Sequence, residues 1–286
     1  LSTEPTADVV AIGDPGRAAT EVGPGEPTRY PDSADHEVSE CWLPGARVRA
    51  ASVRGLMHRY RSQPRQDRFS VVYDGVTATL FVVVCDGVGQ FALSQEAAAF
   101  VAADAPRAYL AHEDWPRAIA EVNGRLREFV ADTATRPHLD AVPEGARMAT
   151  TLAAAAICLE PGRRKASIAW TDDTSVWLLD SGAWTNLTPD PSETDDPDGL
   201  HTGRVQALPS EDPRVFTTEV PAEAGALFVL TDGVGVPLAG SAQVRQTLAS
   251  WWDAPPDVFT FARQVGFARK GHLDDRTAVG IWFEPL

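Results

Sequence analysis

Two short apolar runs, residues 81–85 and 227–231, constrain this chain more than any other feature, because each ends abruptly in Asp-Gly-Val-Gly. Each run is too short for a helix and is rich in Val, Leu and Phe, which predicts a strand buried on both faces. Each strand therefore delivers one carboxylate, Asp86 or Asp232, to its end, beside a glycine that lets backbone or ligand come close. A lone Asp-Gly is an ordinary turn signal. The repetition, and a third acidic pair at Asp274-Asp275 ahead of another apolar strand, point instead towards a metal site.

The rest of the composition narrows the class of protein. With 286 residues and 44% hydrophobic content, the chain can bury a large core. Lys and Arg number 25 against 40 Asp and Glu, a formal net charge of -15. Such a surface repels nucleic acid and anionic lipid, so neither is an expected partner. An acidic protein still binds phosphorylated substrates where metal ions and local cations invert the potential. Cys41, Cys85 and Cys158 are few and widely spaced, with no zinc-like Cys/His spacing, and suit free thiols in a reducing compartment. No apolar stretch reaches the length of a membrane span, and the expected location is cytoplasmic.

Residues 1–47 are rich in Pro, Gly, Thr and acids without a sustained period, and are expected to form an acidic N-terminal arm. A single domain is expected over 48–286. The stretch from Arg47 carries seven arginines (Arg47, Arg49, Arg54, Arg59, Arg61, Arg65 and Arg68) and reads either as a solvated strand-turn-strand with a charged face or as an anion-binding patch, which the contrast with the net charge favours. Strands are expected at 69–74, 79–85, 148–158, 165–171, 175–179, 183–187, 215–220, 227–230 and 277–283. Helices are expected at 94–112, from Asp114 through Val130, at 241–252 and at 257–270, the last stopped by Gly271. Loops are expected at 137–147 and 189–211. Strands in runs, with helices in separated pairs, favour antiparallel sheets covered by helices.

Carboxylates at strand ends, beside glycine carbonyls and water, form a hard-oxygen environment that suits Mg²⁺ or Mn²⁺. The candidates are Asp67, Asp86, Asp172, Asp173, Asp232, Asp274 and Asp275. Their motifs, in order, resemble the metal-dependent type 2C Ser/Thr protein phosphatases. The Arg-rich patch with Gln66-Asp67 is similar to that family's first motif, and 81–89 to its strand ending in Asp-Gly-x-Gly. Thr150-Thr151, Asp172-Asp173-Thr174, Leu187-Thr188-Pro189-Asp190, Thr231-Asp232-Gly233 and Asp274-Asp275-Arg276-Thr277 follow in the family's order. Gln66 stands where Glu is usual, as in a bacterial subgroup with Gln-Asp, and Asp172 stands in place of a Gly.

The resemblance implies an α+β fold, a four-layer α-β-β-α sandwich of two antiparallel sheets each flanked by helices. It also implies hydrolysis of phospho-Ser or phospho-Thr in proteins by a metal-bridged hydroxide, with two Mn²⁺ or Mg²⁺ ions and possibly a third. Asp86 bridges the two metals, with the Gly87 carbonyl and Gln66 beside it. Asp232 and Asp274 complete the set, Asp173 serves the third metal, and Asp67 orients water. The phosphate-binding cation is Arg59 or Arg61, with Arg65 and His58 as competitors. The implied partner is a phosphoprotein made by a Ser/Thr kinase. The rival reading from another class is a pseudophosphatase that binds phosphoproteins or regulates without turnover.

Overall fold

The computed structural model describes residues 10–23, 34–133, 148–189, 206–222 and 224–284. Among the described residues, eleven strands and seven helices follow in order. They are α1 (Ala18–Glu21), β1 (His36–Leu43), β2 (Ala46–Val53), α2 (Leu56–Tyr60), β3 (Arg68–Asp74) and β4 (Thr79–Gly87). Next come α3 (Ser94–His112), α4 (Trp115–Thr133), β5 (Thr150–Cys158), β6 (Lys165–Thr171), β7 (Ser175–Asp180) and β8 (Ala183–Asn186). The last group is β9 (Phe216–Pro221), β10 (Ala226–Leu230), α5 (Asp232–Gly240), α6 (Ala242–Trp251), α7 (Val258–Val265) and β11 (Arg276–Phe283).

The strands form two sheets, β1-β2-β11-β10-β7-β8 and β3-β4-β5-β6-β9, and every neighbouring pair is antiparallel. The two sheets stack, and their inner faces interdigitate. Leu80, Val82 and Val84 of β4 meet Leu227 and Val229 of β10 in one buried cluster. The alternate residues of β4, Phe81, Val83 and Cys85, pack against α3 and α4. Phe228 and Leu230 of β10 pack against α5, α6 and α7. Both runs are thus apolar throughout because each has a helix layer on one side and a sheet on the other. The four-layer sandwich is the expected one.

Four local expectations change. Residues 36–43 are not arm but the edge strand β1, paired along its length with β2 from His36↔Val53 to Leu43↔Ala46. The edge position explains why its pattern looked unperiodic: one side of the strand lacks a neighbour and most of its side chains stay wet. Farther upstream, Ile12 is buried in the helix-side core and Ala11 bridges to Ala268. The Arg-rich stretch is not strand-turn-strand: a one-turn helix, α2, follows β2. The last helix stops at Gly266, where the chain turns back to that bridge, rather than at Gly271. Asp232 does not end its strand, which stops at Leu230, but opens α5. The expected loops at 137–147 and 189–211 fall largely outside the described residues.

The start of α5 brings its backbone against the segment before β11. A Cβ added to Gly233 would sit 1.9 Å from the Asp275 carbonyl oxygen, so only glycine allows that approach. Arg276 clamps the same place, donating to the carbonyls of Gly233 and His272 while its guanidinium lies 4.2 Å from the Phe267 ring centre. Gly233→Ala is expected to lower unfolding stability by about 1–3 kcal/mol through overpacking. Urea melts of the two proteins measure this, and equal midpoints would disprove the close approach.

Candidate metal centre

Asp275 organises the site although it faces no solvent. Its Oδ1 accepts from the Gly55 amide at 2.6 Å and its Oδ2 from the Gln66 amide at 2.6 Å. The His58 Nδ1 lies 2.8 Å from Oδ1. Burial works against the Asp275 charge, but His58 and the two amides outweigh it and hold the carboxyl below its usual range. Burial likewise works against an imidazolium at His58, and Asp275, Asp274 and Asp67 together raise it above its ordinary value. One carboxylate thereby fixes the β2–α2 junction, the segment entering β3 and the segment entering β11.

Asp67 is buried, and its Oδ2 accepts from the hydroxyls of Thr231 and Thr277, each at 2.8 Å. Burial and the charge of Asp275 push its carboxyl well above the usual range, opposed by those two hydroxyls. Asp86 ends β4 opposite Thr151 of β5. Burial, then the charges of Asp67, Asp232, Asp173 and Asp274, push Asp86 well up. Asp173 accepts from the Thr151 hydroxyl at 3.3 Å, and burial with Asp232 and Asp172 pushes it to about 7. Asp274 rises through burial, Asp232 and Asp275, with His58 opposing. These carboxylates raise one another because they share one edge of the sandwich.

Two acceptors there have no partner. Asp232 Oδ1 and Gln66 Oε1 are buried and make no hydrogen bond, although Gln66 Nε2 donates to the Phe91 carbonyl at 3.1 Å. Buried oxygens left unpaired among crowded carboxylates fit a divalent cation with oxygen ligands. Gly87 keeps Gln66 close, since a Cβ on it would lie 2.7 Å from the Gln66 carbonyl oxygen. Among the described residues, one trio of His, Cys, Asp or Glu ligand atoms meets within 4.8 Å: His58, Asp274 and Asp275. Asp275 there is already engaged by two amides and the imidazole. Asp86, Asp232 and Asp274 are spaced more widely, as electrostatic neighbours.

The cations sort themselves by partner. Arg65 is buried and bonds the carbonyls of Ala34 and Asp67 and the carboxylate of Glu37, and Arg54 pairs with Asp35. Arg61 is the exposed C-cap of α2. Arg59 is half-buried, its Nε has no partner, and it lines a cavity together with Asp274. Of the two expected phosphate binders, Arg59 is therefore the one beside the carboxylates. Asp172 adopts φ +54°, the left-handed region that favours glycine, and its Oδ2 accepts from the Gln206 amide at 2.9 Å. Asp tolerates that region better than most residues, which explains how it replaces Gly. The supporting hydroxyls of Thr231 and Thr277 escaped the sequence reading, though both lie inside motifs it singled out. Asp190, in another motif, is outside the described residues.

Comparison with known proteins agrees with this geometry. The family model described as Protein phosphatase 2C matches residues 54–264, well over half of the chain. No curated protein matches by sequence alone. Among solved structures, the S. agalactiae serine/threonine phosphatase aligns at TM-score 0.58 and 15% identity, covering 87% of this chain and 100% of that one. PppA, a regulatory component of T6SS in Pseudomonas aeruginosa, aligns at TM-score 0.56 and 17% identity, covering 88% and 99%. RsbX in complex with magnesium aligns at TM-score 0.53 and 14% identity, covering 87% and 100%. These likenesses show a shared fold, and the family model with its matched span shows more: the chain belongs to the protein phosphatase 2C family, the metal-dependent phosphatases of serine and threonine phosphoproteins.

Proposed function

We propose that the carboxylate edge is the catalytic centre of this phosphatase, holding two divalent cations, Mn²⁺ or Mg²⁺, with Asp173 serving a third. Asp86, Asp232 and Asp274, with the Gly87 carbonyl and Gln66, would hold them. The observation that carries this reading is the unpartnered, buried Asp232 Oδ1 among four carboxylates that raise one another. When bound, divalent cations supply Lewis acidity and a nucleophilic water at neutral pH. Asp67, fixed by two threonine hydroxyls, would position water at the site, and Arg59 would hold the phosphate oxygens through its planar guanidinium. The substrate is a phosphoprotein made by a Ser/Thr kinase, and the location is cytoplasmic. Among the described residues no helix is long and apolar enough to cross a membrane.

With Mn²⁺, the protein is expected to hydrolyse a phosphothreonine peptide, and chelator abolishes turnover. Asp86→Asn is expected to lower kcat/KM at least about 100-fold. A wild-type rate no higher than that variant's would mean a binding module rather than an enzyme.

Asp232→Asn tests the ligand set separately. Calorimetry is expected to show Mn²⁺ affinity weakened by about tenfold or more, with the thermal melt of the cation-free protein preserved. Unchanged affinity removes Asp232 from the set.

The raised carboxyls also set a pH dependence. In the unfolded chain they lose their protons near about pH 3.9, whereas folded Asp173 keeps its proton to about 7. The folded state thus binds more protons in between, and cation-free stability falls as pH rises through that window. Cations bind the deprotonated set, so Mg²⁺ should raise the melting temperature more at about pH 7.5 than at about pH 5.5. An equal rise at both would show that these carboxyls do not face the cation.

A further inference from the structure

A cavity of about 670 Å³ lies between α7, β1 and α2, and Asp274 and Arg59 form part of its wall. That volume falls within the range of ligand pockets, ~300–1,000 Å³. Val38, Val53, Leu56 and Phe267 make much of the lining apolar. Phe259, in the first turn of α7, leaves its ring 74% exposed on the same wall.

The charged groups of the wall divide in two. Arg54 is engaged by Asp35 and the His58 carbonyl, and Arg276 by the carbonyls of Gly233 and His272. Arg59, half-buried, and Arg263, exposed in the last turn of α7, line the space from two sides. In a chain of net charge -15, this is a local cationic patch on an apolar surface that adjoins the carboxylate edge.

We propose that this cavity receives the substrate polypeptide beside its phosphorylated residue, taking one apolar and one acidic side chain from that flank. The inference rests on the phosphatase reading above. An extended peptide advances ~3.3 Å per residue, so residues two or three positions from the phosphorylated one leave the metal centre across its Asp274 wall. The apolar side chain packs on Phe259 and Leu56, and the acidic one pairs with Arg263. Elsewhere the acidic surface repels such peptides, so these few cations select as well as attract.

Steady-state kinetics on three substrates tests the inference: a phosphothreonine peptide with Leu and Glu on one flank, the same peptide with Gly and Lys there, and p-nitrophenyl phosphate, which has no flank. Wild type is expected to prefer the Leu/Glu peptide by about tenfold in kcat/KM. Arg263→Glu should abolish that preference, Arg263→Lys should keep it, and Phe259→Ser should weaken it. All three variants should hydrolyse p-nitrophenyl phosphate at the wild-type rate. Equal handling of both peptides by wild type, or a parallel fall on all three substrates in Arg263→Glu, would overturn the inference. Failure of wild type on every phosphoester would sink the phosphatase reading instead. Polarisation binding of a fluorescent Leu/Glu phosphonate peptide then decides the cavity: weaker binding to Arg263→Glu supports it and equal binding rejects it.

Discussion

One buried carboxylate holds the site together. Asp275 bonds amides at Gly55 and Gln66, 220 and 209 residues away along the chain, and lies against His58. A buried charge left unpaired is costly, whereas one with two amides and an imidazole is satisfied on both oxygens. The junctions before α2, β3 and β11 are therefore locked relative to one another. Asp67, Asp274 and Arg59 all sit within a few residues of those junctions, so their geometry is inherited from this one anchor. Gly233 completes it, because only a residue without Cβ lets α5 begin against the Asp275 backbone.

Around the anchor the fold gathers negative charge at a cost. Asp67, Asp86, Asp173 and Asp274 all have carboxyls pushed up, each by burial first and by its neighbours second. Asp67 is buried while Asp173 and Asp274 keep exposed surface, and crowding these charges still costs stability because each raises its neighbours. The arrangement makes physical sense as a cation cradle, with hydroxyls from Thr231, Thr277 and Thr151 steering the carboxylates. Next to it, Arg59 and Arg263 line a cavity that Asp274 also lines, and bring positive charge to a protein that is otherwise strongly acidic.

Much of this was legible in residue order, because strand cores speak through short apolar runs. β4 and β10 are buried on both faces, so their runs stood out, and their terminal aspartates were marked as site residues at once. β1 was not legible: an edge strand has no apolar face to read, and its wet, acidic texture resembled an arm. The start of α5 was hidden for a different reason. Asp-Gly-Val-Gly reads as a turn or a tight exit, and only packing against β11 makes a helix of it.

The sequence by itself determined the two aspartates that close apolar runs, the antiparallel sheets covered by helices and the hard-oxygen chemistry, since these follow from local apolar runs and residue type. Tertiary structure decided that Arg59 rather than Arg61 lines a cavity with Asp274, and that Asp275 is a buried anchor while its neighbour Asp274 stays exposed. It also decided that the threonines inside the motifs hold Asp67 in place. Those roles depend on which distant segments meet, and burial and pairing across the sandwich settle that, not neighbours along the chain.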